Sequence, residues 1–241
     1  LNITVNGTND APVLTPAAPT LASISEDDIY NAGQTVASLL GASVADVDGS
    51  AVEGIAIYAT STPNGYWQYS LSNGADWSSV GAVDADAALL LRATDLIRFV
   101  PDQCNDTTAT ISYYAWDQTS GTAGGRVAVT TRSDTTAFSS AADTASITTT
   151  DVNDAPVQTN GSTYTLSATD EHTTSSATPV DNLLTYAQSL WDDVDEGPLK
   201  GIAVTGVSAH GTWQYSTDGV TWNGFGVVSP AAALLLDAAS Q

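Results

Sequence analysis

The segment Gly65-Tyr-Trp-Gln-Tyr-Ser-Leu-Ser-Asn-Gly-Ala-Asp-Trp77 returns later in the chain as Gly211-Thr-Trp-Gln-Tyr-Ser-Thr-Asp-Gly-Val-Thr-Trp222. The duplication extends far beyond this stretch. Asn9-Asp-Ala-Pro-Val13 recurs as Asn153-Asp-Ala-Pro-Val157, Gly54-Ile-Ala-Ile57 as Gly201-Ile-Ala-Val204, and Ala87-Ala-Leu-Leu-Leu91 as Ala232-Ala-Leu-Leu-Leu236. The landmarks keep their order, and the interval stays at about 145 residues throughout. A fixed long period is the signature of a tandem array, so the 241 residues contain one full unit and part of another. A unit of that size can bury its own core.

Within each unit the texture is alternation. Ile3-Thr-Val5, Gly54-Ile-Ala-Ile-Tyr58, Tyr66-Trp-Gln-Tyr69, Ile97-Arg-Phe-Val100, Ile111-Ser-Tyr-Tyr-Ala-Trp116 and Arg126-Val-Ala-Val-Thr130 all read as short strands. Gly, Asn, Asp, Ser and Pro separate them at intervals typical of a β-sandwich. The fold class expected is therefore all-β, as tandem sandwich repeats. Only Asn31–Leu40 and Asp181–Leu190 could form short helical turns.

The duplicated tryptophan segment reads as a hairpin. Trp67–Tyr69 is one strand, Ser72-Asn-Gly74 the turn, and Trp77 opens the return strand, with Asn-Gly supplying positive φ angles. The two tryptophans could pair across the hairpin or cap the core. Ser70, Gly74 and Trp77 also share the spacing of the Asp-box hairpin of sialidases, although Ser72 stands where that box has aspartate. Trp67, Trp116 and Trp213 lie on apolar strands and are expected to be buried.

Charge narrows the function classes. Lys and Arg together number 5 against 27 acidic residues, a formal charge of −22. Such a chain does not suit nucleic acid or anionic membrane surfaces, both of which need cationic patches. No apolar run approaches the roughly 20 residues of a membrane helix. Cys104 is the only cysteine, so no intrachain disulfide is possible and stability must come from elsewhere. A metal is one source. With no methionine, the sequence is expected to be an internal or processed segment.

The acidic residues cluster where strands must end. In the first unit they are Asn9-Asp10, Glu26-Asp-Asp28, Asp46-Val-Asp48-Gly49 and Asp117; in the second, Asp151-Val-Asn153-Asp154, Asp170-Glu171 and Asp192-Asp193-Val-Asp195. Asp-x-Asp directs two hard oxygen donors to one side of a turning backbone. Calcium takes six to eight such oxygens, so other loops must converge to complete a shell. An EF-hand is excluded because its 12-residue loop is missing.

Asp151-Val-Asn-Asp-Ala-Pro-Val157 resembles the linker motif of cadherin repeats. With Asn9-Asp-Ala-Pro-Val13 and the Gly-Ile-Ala strands, the chain resembles the cadherin-like, VCBS-type tandem repeats of giant secreted bacterial surface proteins, including RTX-type adhesins. The resemblance implies Ig/cadherin-like β-sandwiches with Ca²⁺ at the junctions between neighbouring repeats of one chain. It also implies an extracellular, cell-surface location and an adhesive or extender role. By that analogy Asn9 and Asp10 meet Asp46, Asp48 and Asp117 at one end of the first sandwich. Asp151, Asn153 and Asp154 meet Asp193 and Asp195 at the next, with Glu26, Asp170 and Glu171 as further ligands. The chain lacks the Asp-Arg-Glu motif of true cadherins and reads Asn-Asp-Ala-Pro where they have Asn-Asp-Asn.

Other functions remain as alternatives. Exposed tryptophans could make a glycan-binding module, and the repeats could self-associate into a matrix or filament. No enzyme is expected. His172 and His210 are not equivalent in the two units, and the pair Asp84 and Asp86 faces Val228 and Pro230 in the copy. Neither a phosphate loop nor zinc-type Cys/His spacing occurs.

The domain boundaries expected are 1–8 as the last strand of a preceding repeat, 9–152 as a complete repeat, and 153–241 as a second repeat lacking its C-terminal part. The second unit has no counterpart of residues from about Thr94 to Thr150. Such a unit should expose core and sheet edges and should not be stable alone, unless a longer chain or an added strand from a neighbour completes it.

Overall fold

The computed structural model describes residues 2–3, 7–48, 52–132, 134–158, 163–186, 191–195, 197–208 and 211–241, with the side chains of Gln158 and Trp191 left aside. It is mostly β-strand in several sheets, with two short helices, and divides into units Leu1–Val152 and Asn153–Gln241. Among the described residues, no helix is long and apolar enough to cross a membrane.

The first unit contains strands β1 (Val13–Leu14), β2 (Ile24–Ser25), β3 (Gln34–Thr35), β4 (Val44–Ala45), β5 (Gly54–Ser61), β6 (Gly65–Ser70), β7 (Ser78–Ser79), β8 (Ala88–Arg92), β9 (Leu96–Pro101), β10 (Thr107–Trp116), β11 (Arg126–Val127) and β12 (Phe138–Thr150). One six-stranded sheet has the order β11-β8-β5-β10-β12-β2, and a four-stranded sheet the order β3-β9-β6-β7. All pairs are antiparallel except β12–β2, where Thr149 lies beside Ile24 and Thr150 beside Ser25. The main core lies between the sheets. Ile55, Ile57, Leu89, Leu91, Ile111 and Tyr113 come from the larger sheet, and Trp67, Ile97 and Phe99 from the smaller. Period-two alternation sends the next residues to the other face, where Ala56, Ala88, Leu90 and Trp116 form a second cluster. Val129, Ala137 and Phe138 cover it. This explains why β5 and β8 read as continuous apolar runs: both of their faces are buried.

Helix α1 (Val36–Leu40) follows from local chemistry. The Thr35 side chain accepts from the Ser38 amide at 3.1 Å as an N-cap, and Gly41, at φ 54°, ends the helix. Val36, Leu39 and Leu40 face the core.

Three expectations are corrected. Arg126–Thr130 is a strand only to Val127. The Arg126 guanidinium bonds the carbonyls of Val80, Ala82 and Ala87, and Val129 leaves the sheet to be buried over it, its amide donating to Ala85 O at 2.7 Å. The hairpin's return strand begins at Ser78, and its tryptophans do not pair. Trp67 enters the core edge-on to Phe99, whereas Trp77 lies under the Arg98 guanidinium at 4.0 Å. The third correction concerns Trp213, which is 41 % exposed where its counterpart Trp67 is 1 %. Of the strand expected at Ile3–Val5, only Ile3 is described, and it belongs to no strand; Thr4 and Val5 lie outside the described residues, as does His210.

The second unit contains β13 (Val157–Gln158), α2 (Val180–Thr185), β14 (Trp191–Asp192), β15 (Gly201–Val204), β16 (Gln214–Tyr215), β17 (Asn223–Gly224) and β18 (Leu234–Asp237). They pair two by two, as β13-β14, β15-β18 and β16-β17. Each pair has a counterpart in the first unit: β1-β4, β5-β8 and β6-β7. Val180, Leu184 and Leu236 form a small core, with Ile202, Val204, Tyr215 and Phe225 packed partly against it. Among the described residues, no strand flanks β16 as β9 flanks β6. Trp213 therefore meets no counterpart of Phe99 and stays exposed.

The duplicated turn is stapled by different groups at the same place. In the first unit the Ser72 hydroxyl accepts from Asp76 N at 2.9 Å, whereas the preceding Ser70 hydroxyl accepts from Ser72 N as its counterpart Ser216 does from Asp218 N. In the second, the Asp218 carboxylate accepts from Val220 N at 2.8 Å and Thr221 N at 2.6 Å. These amides, Thr221 first, hold the Asp218 carboxyl well below the usual carboxylate range. A depressed folded-state pKa adds stability above about pH 4 that is lost as the pH falls through the folded value. The Val220 and Thr221 amide resonances are therefore expected to titrate with a midpoint well under the ~3.9 of a free aspartate. A midpoint at the free value would refute the staple.

Candidate metal centre

Antiparallel pairing of β1 with β4 places Val13 beside Ala45 and so brings the linker before β1 alongside the loop after β4. The Asp10 amide donates to Asp48 Oδ2 at 2.9 Å, and the Asp48 amide to Asp46 Oδ1 at 2.9 Å. Asp117, buried at the end of β10, takes Asn9 Nδ2 on Oδ2 at 2.8 Å and the Thr119 amide on Oδ1 at 2.8 Å. Four of the predicted residues (Asn9, Asp10, Asp48 and Asp117) are thus engaged in bonds between the linker and the loops at one end of the unit. Asp46 joins them through Asp48.

A cavity of about 160 Å³ opens here, lined by the acidic Asp46, Asp48, Glu53 and Asp117 together with Pro12, Val44, Val52 and Trp116. No cation lines it. Asp46 Oδ2 is buried in this loop without a hydrogen-bond partner, a costly arrangement for a carboxylate oxygen unless a cation meets it. Within the first unit, no three carboxylates of the described residues hold ligand oxygens within 4.8 Å of one another. An ion here would have to draw them in. Glu53 was not evident from the sequence, because a single glutamate before a strand carries no spacing signal.

The second unit repeats the clasp. Val157 pairs with Asp192, the Asp154 amide donates to Asp195 Oδ2 at 3.0 Å, and the Asp195 amide to Asp193 Oδ1 at 3.2 Å. Here the buried oxygen without a partner is Asp195 Oδ1. Asn153 Nδ2 bonds Asp154 O at 2.9 Å, so it does not play the part of Asn9.

The remaining predicted ligands take no part in the clasp of their own unit. Glu26 is fully buried, and its Oε1 accepts from the Val152 amide at 2.8 Å. The register of β10 and β12 runs from Thr107–Thr149 to Trp116–Phe138, so Glu26, next to Thr150, is at the opposite end of the sheet from Asp117. Asp151 is exposed on the segment leaving β12. Asp170 is committed to its own turn, accepting from the His172 amide and the Thr173 hydroxyl at 2.9 Å each, and these bonds lower its pKa. Glu171 pairs with His172 at 3.2 Å on the surface.

The donor set is all oxygen, mostly carboxylate, which suits a hard cation such as Ca²⁺ and not a thiolate- or imidazole-seeking metal. Comparison with known proteins finds no matching family model, no matching curated protein and no matching solved structure.

Proposed function

We propose that the chain consists of calcium-stiffened structural modules of the Ig/cadherin-like, VCBS-type kind, acting as an extender or adhesive stalk of a large extracellular bacterial surface protein. One observation carries the reading: the same linker-to-Asp-x-Asp clasp occurs in both units, each time with a buried carboxylate oxygen lacking a partner. Ca²⁺ would be held by Asp46, Asp48 and Asp117, with Glu53, in the first unit and by Asp154, Asp193 and Asp195 in the second. The ion supplies positive charge to a chain of net charge −22 and ties the linker to the loop it crosses. An ion that binds only the folded state stabilises it by mass action, by about 2.7 kcal/mol at a hundredfold excess over Kd. For a chain of this size that corresponds to a rise in Tm of about 5–10 °C. Thermal unfolding and small-angle scattering with EDTA and then with excess Ca²⁺ test the reading: chelation should lower Tm and loosen the array. Unchanged melting and scattering would remove the calcium role.

A second reading has its own observation. Trp213 and Trp222 are 41 % and 40 % exposed, as glycan platforms require. Quenching of tryptophan fluorescence by added surface glycans, abolished in a Trp213→Ala, Trp222→Ala variant, would favour it.

A further inference from the structure

We infer that a cleft in the first unit, built around Arg92, is a binding site for a uronic acid residue of a polysaccharide. The cleft has a volume of about 410 Å³, and Leu71, Arg92, Trp116, Gln118, Thr122 and Ala123 are among its walls. Small-ligand sites fall in this size range. Leu71 follows β6, Arg92 ends β8 and Trp116 ends β10, so three strand ends converge here, and the loop 117–125 forms the rim. Neither Trp213 nor Trp222 takes part.

The loop is held in place before any ligand arrives. The Gly124 amide donates to Leu90 O at 2.8 Å, and the Leu90 amide to Gly125 O at 3.0 Å. Trp116 Nε1 donates to Ser120 O at 2.7 Å, and Gln118 Nε2 to Glu53 O at 2.7 Å. Gln118 and Gly121 take left-handed φ angles of 65° and 81°. A Cβ at Gly121 would lie 2.4 Å from the Leu90 side chain, so only glycine lets the loop approach this closely. A wall fixed in this way loses little conformational freedom on binding.

Charge and hydrogen-bonding capacity select the occupant. The buried Asp95 carboxylate accepts from Arg92 Nε at 3.1 Å, from Nη2 at 2.7 Å and from the Arg92 amide at 2.7 Å. Nη1 has no partner among the described residues, and the Arg92 side chain is 43 % exposed. No residue lining the cleft is acidic, although acidic residues outnumber basic ones 27 to 5 in the chain. One guanidinium, already partnered along one side by Asp95, suits a single carboxylate and not a phosphate dianion. A zwitterion such as an amino acid would leave its ammonium without a counter-charge. Gln118 Oε1 and Thr122 Oγ1 have no hydrogen-bond partner among the described residues and suit hydroxyls. Leu71, 41 % exposed, and Ala123 offer an apolar wall to the C–H face of a ring. A carboxylate, neighbouring hydroxyls and a pyranose face belong together in a uronic acid. The second unit does not repeat the site. In the repeat Asp237 stands for Arg92, Ser240 for Asp95 and Thr217 for Leu71. Ser240 donates its amide and hydroxyl to Asp237 Oδ1 at 2.9 and 2.7 Å, so the same local pairing carries the opposite charge.

The probe is methyl β-D-glucuronide, titrated into the nitrogen-15-labelled full chain in EDTA, where no bound calcium can bridge to its carboxylate. Saturable one-to-one shifts are expected at the Thr122 and Ala123 amides and at Arg92 Nε. Methyl β-D-glucoside, which lacks the carboxylate, and acetate, which lacks the ring, should each bind at least tenfold more weakly. Leu71→Asp leaves the Arg92–Asp95 pair intact and sets a like charge beside the ligand, and Thr122→Val removes one hydroxyl partner. The first should weaken binding at least tenfold and the second about threefold, with the dispersed amide spectrum of the parent kept in both. Absence of binding, equal binding of the glucoside or of acetate, full affinity in either variant, or shifts centred outside the cleft overturns the assignment. Where a variant loses the dispersed spectrum, the three ligands compared on the parent chain decide alone.

Discussion

Trp67→Ala is expected to destabilise the first unit by about 3–5 kcal/mol, while Trp213→Ala, at the equivalent place in the repeat, costs less than about 1. Trp67 is 1 % exposed, meets Phe99 edge-on at 5.3 Å and donates from Nε1 to Ser61 O at 3.3 Å. Truncation removes the ring's transfer free energy and leaves a cavity between two sheets that cannot collapse around it. Trp213 has the same sequence context and also donates to a carbonyl, Ser208 O at 3.2 Å, but much of its ring faces solvent. Urea unfolding of both variants, with amide exchange of β9 as a local reporter for the first unit, measures the difference. Equal losses would mean that Trp213 is buried in solution.

Asp143→Ala should be nearly as damaging, at about 3 kcal/mol or more. The Asp143 carboxylate, 7 % exposed, accepts from the amides of Ala17 at 2.8 Å, Ala18 at 3.1 Å and Thr144 at 2.8 Å. The Tyr113 hydroxyl lies 3.4 Å away, and burial, then Asp143, raise its pKa well above the ordinary tyrosine value, so it remains a donor. Hydrogen bonds to a charged acceptor contribute about 1.5–3 kcal/mol each, though not additively. Ala18 also precedes a proline and has φ 47°, a left-handed conformation that an alanine holds only under constraint. Loss of the carboxylate frees this segment. Asp143→Asn keeps one acceptor oxygen and should lose about half as much. Chemical unfolding of the two variants, with exchange at the Ala17 and Ala18 amides, distinguishes them; an Asp143→Ala variant as stable as the parent would show that the carboxylate holds nothing.

The duplication, the all-β class, the hairpin turn at Ser72–Gly74 and the short helix before Gly41 were legible in the residues, because local rules decide each of them. Alternation places side chains on two faces, Asn-Gly accepts positive φ, and a threonine cap followed by a glycine stop delimits five helical residues. The Asp-x-Asp loops were legible for the same reason, since two carboxylates at that spacing remain neighbours in any turn.

Tertiary structure decided what depends on distant partners. Arg126–Thr130 has the alternation of a full strand, yet three carbonyls from another segment capture Arg126 and the buried face of Leu90 captures Val129. Glu53 lines the cavity with Asp46, Asp48 and Asp117 only because β5 begins there beside the end of β10. Glu26 carries the same charge but sits at the far end of the sheet, placed by a parallel pairing of two residues that leaves no trace in the sequence. Trp67 and Trp213 show the division most directly. Their sequence neighbourhoods are nearly the same, but one ring is covered and the other is not, because burial depends on a strand supplied by residues far away in the chain.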